Sequence, residues 1–128
     1  FASRSYKKPT PYGNVLIMSP WNYPFLLTIE PLANALAAGN TAVVKPSAYS
    51  PATSSVIAKI LSECFDSEYV ALVTGGRQEN AALLEQKFDF IFFTGNILKD
   101  VFPNKILFNS VILFSSLGNT ATILLKVS

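Results

Sequence analysis

Asn22 lies in the run Pro20-Trp21-Asn22-Tyr23-Pro24, where two prolines and two aromatic residues stiffen the chain around one amide. An amide N–H held in that way can hydrogen-bond an oxygen atom as it acquires negative charge, the physical basis of an oxyanion site. Read alone, the same asparagine could simply fix a turn. Lys45 follows within Val43-Val44-Lys45-Pro46-Ser47, at the distance of one strand-helix-strand unit. It is a cation leaving an apolar run, suited to the polar groups of a nucleotide, or else a solvated lysine at a strand end. Gly75-Gly76 closes another apolar run and reads as a turn.

The elements that position these residues follow from apolar spacing. Residues 14–19 form a short apolar run that fits a buried strand and leads into the proline-flanked turn. Over residues 25–38, Leu26, Leu27, Leu32, Ala35, Leu36 and Ala38 recur at helical spacing, and Gly39-Asn40 supplies a stop. Pro31 lacks an N–H, so it should kink this helix or mark its first turn. Residues 41–45 form the next strand, and a strand-helix-strand unit of this kind favours parallel pairing. Pro51 opens a second helix after Ser50, a serviceable N-cap, with Val56, Ile57, Ile60, Leu61 and Cys64 on one face. Residues 69–73 read as a third strand, 79–87 as a helix with Ala82, Leu83 and Leu84 inward, and 88–94 as a fourth strand. Strand and helix alternate, so the expected fold is doubly wound α/β. Beyond Asn96 the pattern degrades: residues 105–108 and 111–114 are bulky and β-prone, and Pro103 argues against a long helix.

Composition narrows the function. A chain of 128 residues suits one domain with a modest core. Half the residues are hydrophobic and 14% are charged, against about 25% charged in ordinary soluble domains, so either a partner covers part of the surface or the chain is a piece of something larger. The net charge of +2, partly from Arg4, Lys7 and Lys8, is too small to suggest nucleic-acid binding. Histidine is absent, which removes Ser-His and Cys-His catalytic pairs and the commonest metal ligand. The single cysteine, Cys64, excludes an internal disulfide and fits a reducing, cytoplasmic setting. At the end of an apolar helical stripe it reads as a small core hydrophobe. No apolar run reaches the roughly 20 residues of a membrane span. The opening residues lack a signal-peptide pattern and an initiating methionine, so the chain reads as the middle of a longer one.

Four motifs taken in order resemble the aldehyde dehydrogenase superfamily, especially the class acting on fatty and aromatic aldehydes. They are Pro20-Trp21-Asn22-Tyr23-Pro24, the stretch from Pro31-Leu32-Ala33-Asn34 to Gly39-Asn40, Val43-Val44-Lys45-Pro46-Ser47 with Ser50-Pro51, and Val73-Thr74-Gly75-Gly76 leading to Phe92-Phe93-Thr94-Gly95-Asn96. The resemblance covers residues 12–96 and implies a Rossmann-like parallel sheet with flanking helices. In that family a cysteine thiolate attacks the aldehyde, hydride passes to NAD or NADP, and a glutamate activates water to release the acid. Asn22 matches the family's oxyanion-stabilising asparagine, the catalytic residue this stretch would supply. Ser19, Pro20, Trp21, Lys45 and Ser47 are implied to border the cofactor, with Lys45 on the adenosine ribose. Gly75 resembles a loop near the adenine. Thr94, Gly95 and Asn96 match the turn over the cofactor, where a helix N-terminus faces the pyrophosphate.

The chain also departs from the family pattern. Ala48 stands where a glutamate often shares the ribose, which leaves NAD against NADP open and the hold on NAD weaker. Asp100 replaces a frequent glycine and would repel a pyrophosphate. A faint match of Leu117-Gly118 and residues 120–126 to a later motif puts Ser116 in the place of the catalytic glutamate, and a serine hydroxyl is too weak a base for that role. The expected organisation is therefore a partial dinucleotide-binding domain over 1–96 with a degenerate continuation over 97–128. Expected partners are a weakly held NAD or NADP, an aldehyde only in an intact enzyme, and intact homologues that could pair with the exposed apolar faces; oxidation of aldehydes by this stretch alone is not expected.

Overall fold

A computed structural model describes residues 5, 6, 8, 10–95, 110–115 and 121–126. The elements run β1 (Asn14–Met18), α1 (Leu26–Ala37), β2 (Thr41–Lys45), α2 (Pro51–Cys64), β3 (Val70–Leu72), α3 (Arg77–Leu84), β4 (Phe90–Gly95), β5 (Ser110–Ser115) and β6 (Ala121–Lys126). They build one sheet in the order β3-β2-β1-β4-β6-β5. The first four strands are parallel, as the alternation of strands and helices required. β6 and β5 then add antiparallel to the β4 edge, with Phe90–Gly95 of β4 facing Lys126–Ala121 of β6. That antiparallel extension was not expected from the sequence, although residues 111–114 were read as β-prone.

The two-residue period of β1 sorts the core into two layers. Val15 and Ile17 face α1 and α2, packing with Leu32, Ala42, Val44, Ile57, Leu61 and Val70. Leu16 and Met18 point to the opposite face, with Phe88, Ile91 and Phe93 and the half-buried Leu83 and Leu84 of α3. Both faces of β1 are thus covered, which is why residues 15–18 read as a continuous apolar run instead of an alternating one.

Several sequence expectations about the helices are corrected. Pro31 is the sixth residue of α1 and does not start it. The buried stripe of α1 is Thr28 and Leu32, while Leu26 is exposed. On α2 the buried positions are Ser54, Ile57 and Leu61; Val56, Ile60 and Cys64 face solvent, so Cys64 is no core residue. Ser50 holds the N-cap position of α2 but makes no capping bond; its Oγ donates to the carbonyl of Trp21 instead, at 3.2 Å. On α3, Ala82 is exposed and the helix begins at Arg77, two residues before the expected start. No helix among the described residues is long and apolar enough to cross a membrane.

Candidate functional site

The strand order reverses at β1, which has β2 on one side and β4 on the other. In open α/β sheets a crevice forms beyond the carboxyl ends of the strands at such a switch point. A cavity of about 420 Å³ lies there, within the usual range for small-molecule sites. It is lined by residues 18–22 after β1, 45–49 after β2, 75–77 and Asn80 at the start of α3, and 93–95 of β4. Ser19, Pro20, Trp21, Asn22, Lys45, Ser47, Gly75, Thr94 and Gly95 all border it. Nine of the ten residues singled out from the sequence are thus brought together; the tenth, Asn96, lies outside the described residues, as do Asp100 and Ser116.

Hydrogen bonds between the loops fix the mouth of this cavity. The Ser19 N–H donates to the Lys45 carbonyl at 3.2 Å, joining the ends of β1 and β2. Thr28 Oγ1 donates to the Pro24 carbonyl at 2.6 Å, so the 2.5 Å contact between Ser19 Oγ and Thr28 Oγ1 has Ser19 as donor. Ser19 therefore anchors the turn to α1 and has no hydrogen left for a ligand. Within the turn, Tyr23 takes φ 50, a left-handed conformation that costs a non-glycine residue about 1–2 kcal/mol. Such strain is retained where surrounding bonds over-determine the backbone, and here the Leu27 N–H donates to the Tyr23 carbonyl at 3.0 Å. Asn22, half-buried on the cavity wall, is positioned by this strained turn.

Lys45 is 3% exposed, which excludes the reading of a solvated lysine at a strand end. Its Nζ donates to the Pro46 carbonyl at 2.9 Å, leaving two ammonium hydrogens without a partner among the described residues. Burial pulls the Lys45 amine below its ordinary 10.5, and the negative charge of Glu79 offsets part of that shift. Glu79 was not foreseen as part of this region. Its Oε2 accepts the Gly76 N–H at 2.6 Å, and hydrogen bonds from its own backbone and from Gly76 hold its carboxyl below 4.5, with a smaller contribution from Lys45. Gly75, at φ +135, is required where it sits: a Cβ there would collide with the Glu79 side chain. At Gly95 a Cβ would crowd the Phe93 ring, so packing within β4 already demands glycine, in addition to any ligand above it.

Sequence reasoning also missed Arg77 and Asn80, both of which line the cavity. Asn80 Oδ1 is buried and has no hydrogen-bond partner among the described residues, an arrangement that costs about 1–3 kcal/mol unless something supplies a donor. The sequence signal was available in their position just after Gly75-Gly76, at the start of a helix on the strand-end side of the sheet. Cys64, at the far end of α2, does not border the cavity. Among the described residues no group of three or more His, Cys, Asp or Glu side chains could hold a metal ion.

Fold and site together define an open α/β sheet with a ligand crevice at its switch point. Residues 2–98 match the aldehyde dehydrogenase family, and the chain belongs to that family. It is 48% identical over 96 residues to the 4,4'-diaponeurosporen-aldehyde dehydrogenase of Staphylococcus aureus, covering 75% of this chain and 21% of that protein. Mouse aldehyde dehydrogenase family 3 member B1 is 51% identical over 92 residues, covering 72% of this chain and 20% of the relative. Among solved structures, the substrate-bound state of Staphylococcus aureus AldH superposes with a TM-score of 0.65 at 48% identity, over 66% of this chain and 18% of that one. The chain spans about a fifth of the length of these curated relatives.

Proposed function

We propose that residues 1–96 form part of the dinucleotide-binding domain of an aldehyde dehydrogenase, with 97–128 continuing that domain, and that this polypeptide holds NAD or NADP weakly without oxidising aldehydes by itself. The observation that carries the reading is the cavity at the switch point, where Asn22, Lys45 and the turn at Thr94-Gly95 meet. Its polar groups suit an adenosine moiety: the two Lys45 ammonium hydrogens without a partner among the described residues would serve polar ligand atoms, and Asn80 Oδ1, unpartnered among the described residues, would accept a hydrogen from a ribose hydroxyl or an amine. A bound dinucleotide would supply the hydride acceptor for converting an aldehyde to a carboxylic acid. Asn22 would then donate its amide hydrogen to the aldehyde oxygen as charge develops there, worth roughly 2.7–4 kcal/mol for a comparable donor. Cys64, exposed and remote from the cavity, would not act as its nucleophile.

The test combines fluorescence titration with NADH and NADPH and an absorbance assay for aldehyde-dependent formation of either. Measurable binding that Lys45→Ala removes, without turnover, is the expected result. Failure to bind either dinucleotide overturns the reading. Turnover that survives Cys64→Ala but vanishes in Asn22→Ala would show a complete active site and sink the non-oxidising part. A second reading, pairing with an intact homologue, is favoured by the exposed Trp21, Tyr23, Phe25, Leu26 and Tyr49; co-purification with a full-length family member tests it.

A further inference from the structure

We infer that Glu79 is a positioning residue for the dinucleotide: from outside the cavity wall its carboxylate fixes the Gly75-Gly76 segment of that wall and balances the buried charge of Lys45; this rests on the dinucleotide reading above. Glu79 is half-buried in the first turn of α3 and does not itself line the cavity. Gly75 and Gly76 do, in a short link whose ends are tied down. On the strand side the Val73 N–H donates to the Val44 carbonyl at 2.9 Å, fixing the exit of β3 to β2. On the helix side Gly76 is held twice: the Asn80 N–H donates to its carbonyl at 3.1 Å, and its own N–H donates to Glu79 Oε2 at 2.6 Å. The second bond is the carboxylate half of a capping box, and Gly76 has no side chain to supply the other half. Glu79 also folds over the preceding residue, since its Cγ, Cδ and Oε2 occupy the space that a Gly75 Cβ would need. One carboxylate therefore sets the backbone of both glycines of this link.

The same carboxylate answers a need of Lys45. An ammonium group taken out of water is costly unless an opposite charge and hydrogen bonds compensate it. Lys45 is 3% exposed, and among the described residues its Nζ has one hydrogen bond, to the Pro46 carbonyl. The other ionisable side chains on the cavity wall are Arg77, a cation, and Tyr49, a phenol, so the wall itself brings no carboxylate to Lys45. Glu79 brings one from α3, and its charge works against the depression that burial imposes on the Lys45 amine. Hydrogen bonds from its own backbone and from Gly76 hold the Glu79 carboxyl below 4.5, which keeps it ionised at neutral pH. A charged Lys45 and a fixed Gly75-Gly76 wall are both what an anionic dinucleotide would meet, so Glu79 acts on the ligand without touching it.

The experiment follows the full 128-residue chain in two ways across pH: fluorescence titration with NADH and NADPH, and carbon-13 NMR of the lysine side chains, with Lys45 assigned from the signal lost in Lys45→Arg. Glu79→Gln keeps an oxygen to accept the Gly76 N–H and removes the charge. It should leave affinity near the wild-type value at mildly acid pH, while the Lys45 midpoint and the alkaline loss of binding both move to lower pH. Glu79→Ala removes the acceptor as well and should add a loss of affinity on the order of tenfold at every pH, the size of one charge-assisted hydrogen bond. The wild-type chain gives a further measure that needs no variant to fold: the Gly76 amide proton should shift as Glu79 titrates below 4.5, and an amide insensitive to that titration overturns the wall contact. A Lys45 midpoint unchanged in a folded Glu79→Gln chain overturns the charge role, and wild-type affinity in a folded Glu79→Ala chain overturns the positioning of the wall; either result leaves the dinucleotide reading standing. Binding of neither dinucleotide overturns both.

Discussion

Lys45 holds its ammonium group in a buried position, against the Pro46 carbonyl and within electrostatic reach of Glu79. Burial depresses its folded-state pKa below the ordinary 10.5, so over the interval between the two values the folded chain has released a proton that the unfolded chain still binds. The unfolded state then carries more protons, and stability rises with pH across that window. Ligand binding has the opposite sign, because an anionic dinucleotide needs the charged amine. Affinity for NADPH should therefore fall as pH is raised from neutral toward about 10, before an unperturbed lysine would titrate. Lys45→Arg should flatten the profile, since a guanidinium keeps its proton throughout. Fluorescence titrations across that range check it, and a flat wild-type profile would remove Lys45 from the binding site. Glu79 behaves in the reverse sense: the stability it contributes is present above 4.5 and is lost as pH falls through its lowered folded-state value.

The element that holds β1 against β2 is a loop pinned by one asparagine. Asn40 Oδ1 accepts the N–H groups of Tyr12 at 2.6 Å and Gly13 at 3.0 Å, while its Nδ2 donates to the Ala35 carbonyl at 2.9 Å. Asn40→Ala should lower stability by about 1–3 kcal/mol, because the N–H donors lose their acceptor in a partly buried site; denaturant unfolding measures it, and a change near zero would show that water replaces the amide. In the sequence Asn40 read only as part of a helix stop, because its partners lie 27 and 28 residues away. The same distance problem hid Asn80, which lines the cavity from α3, and Glu79, whose charge acts on Lys45 from the same helix. What the sequence did carry was local: the apolar runs of β1 and β2, the turn at Pro20–Pro24, the Gly75-Gly76 break, and the family motifs whose side chains gather around one crevice. The faces of α2 were misread because Ile60 and Cys64 satisfy helical spacing, yet the sheet covers only Ser54, Ile57 and Leu61. The antiparallel pairing of β6 with β4 depends on residues more than 25 positions apart, and apolar spacing has no way to specify it.

At the scale of the whole molecule, large apolar side chains stand exposed at the cavity: Trp21 is 65% and Tyr49 79% exposed on its wall, and Tyr23, two residues after Trp21 in the same turn, is 74% exposed. Such a patch on a chain with few charges favours association. The sheet adds a second hazard. β6 satisfies the outer backbone groups of β4 along Phe90–Gly95, so without it β4 would become an unpaired edge beside the cavity. Unpaired strand edges template pairing with other chains. Deleting residues 110–128 should therefore increase self-association more than it alters the α/β far-ultraviolet circular dichroism of the first four strands, whose core lies in residues 15–93. Sedimentation velocity of the intact and shortened chains at matched concentration measures the first quantity. A shortened chain that stays monomeric with the intact chain's spectrum would show that β4 needs no cover. One that loses its spectrum altogether would show that the antiparallel pair is part of the folding unit itself, with the two buried layers around β1 insufficient to hold the sheet.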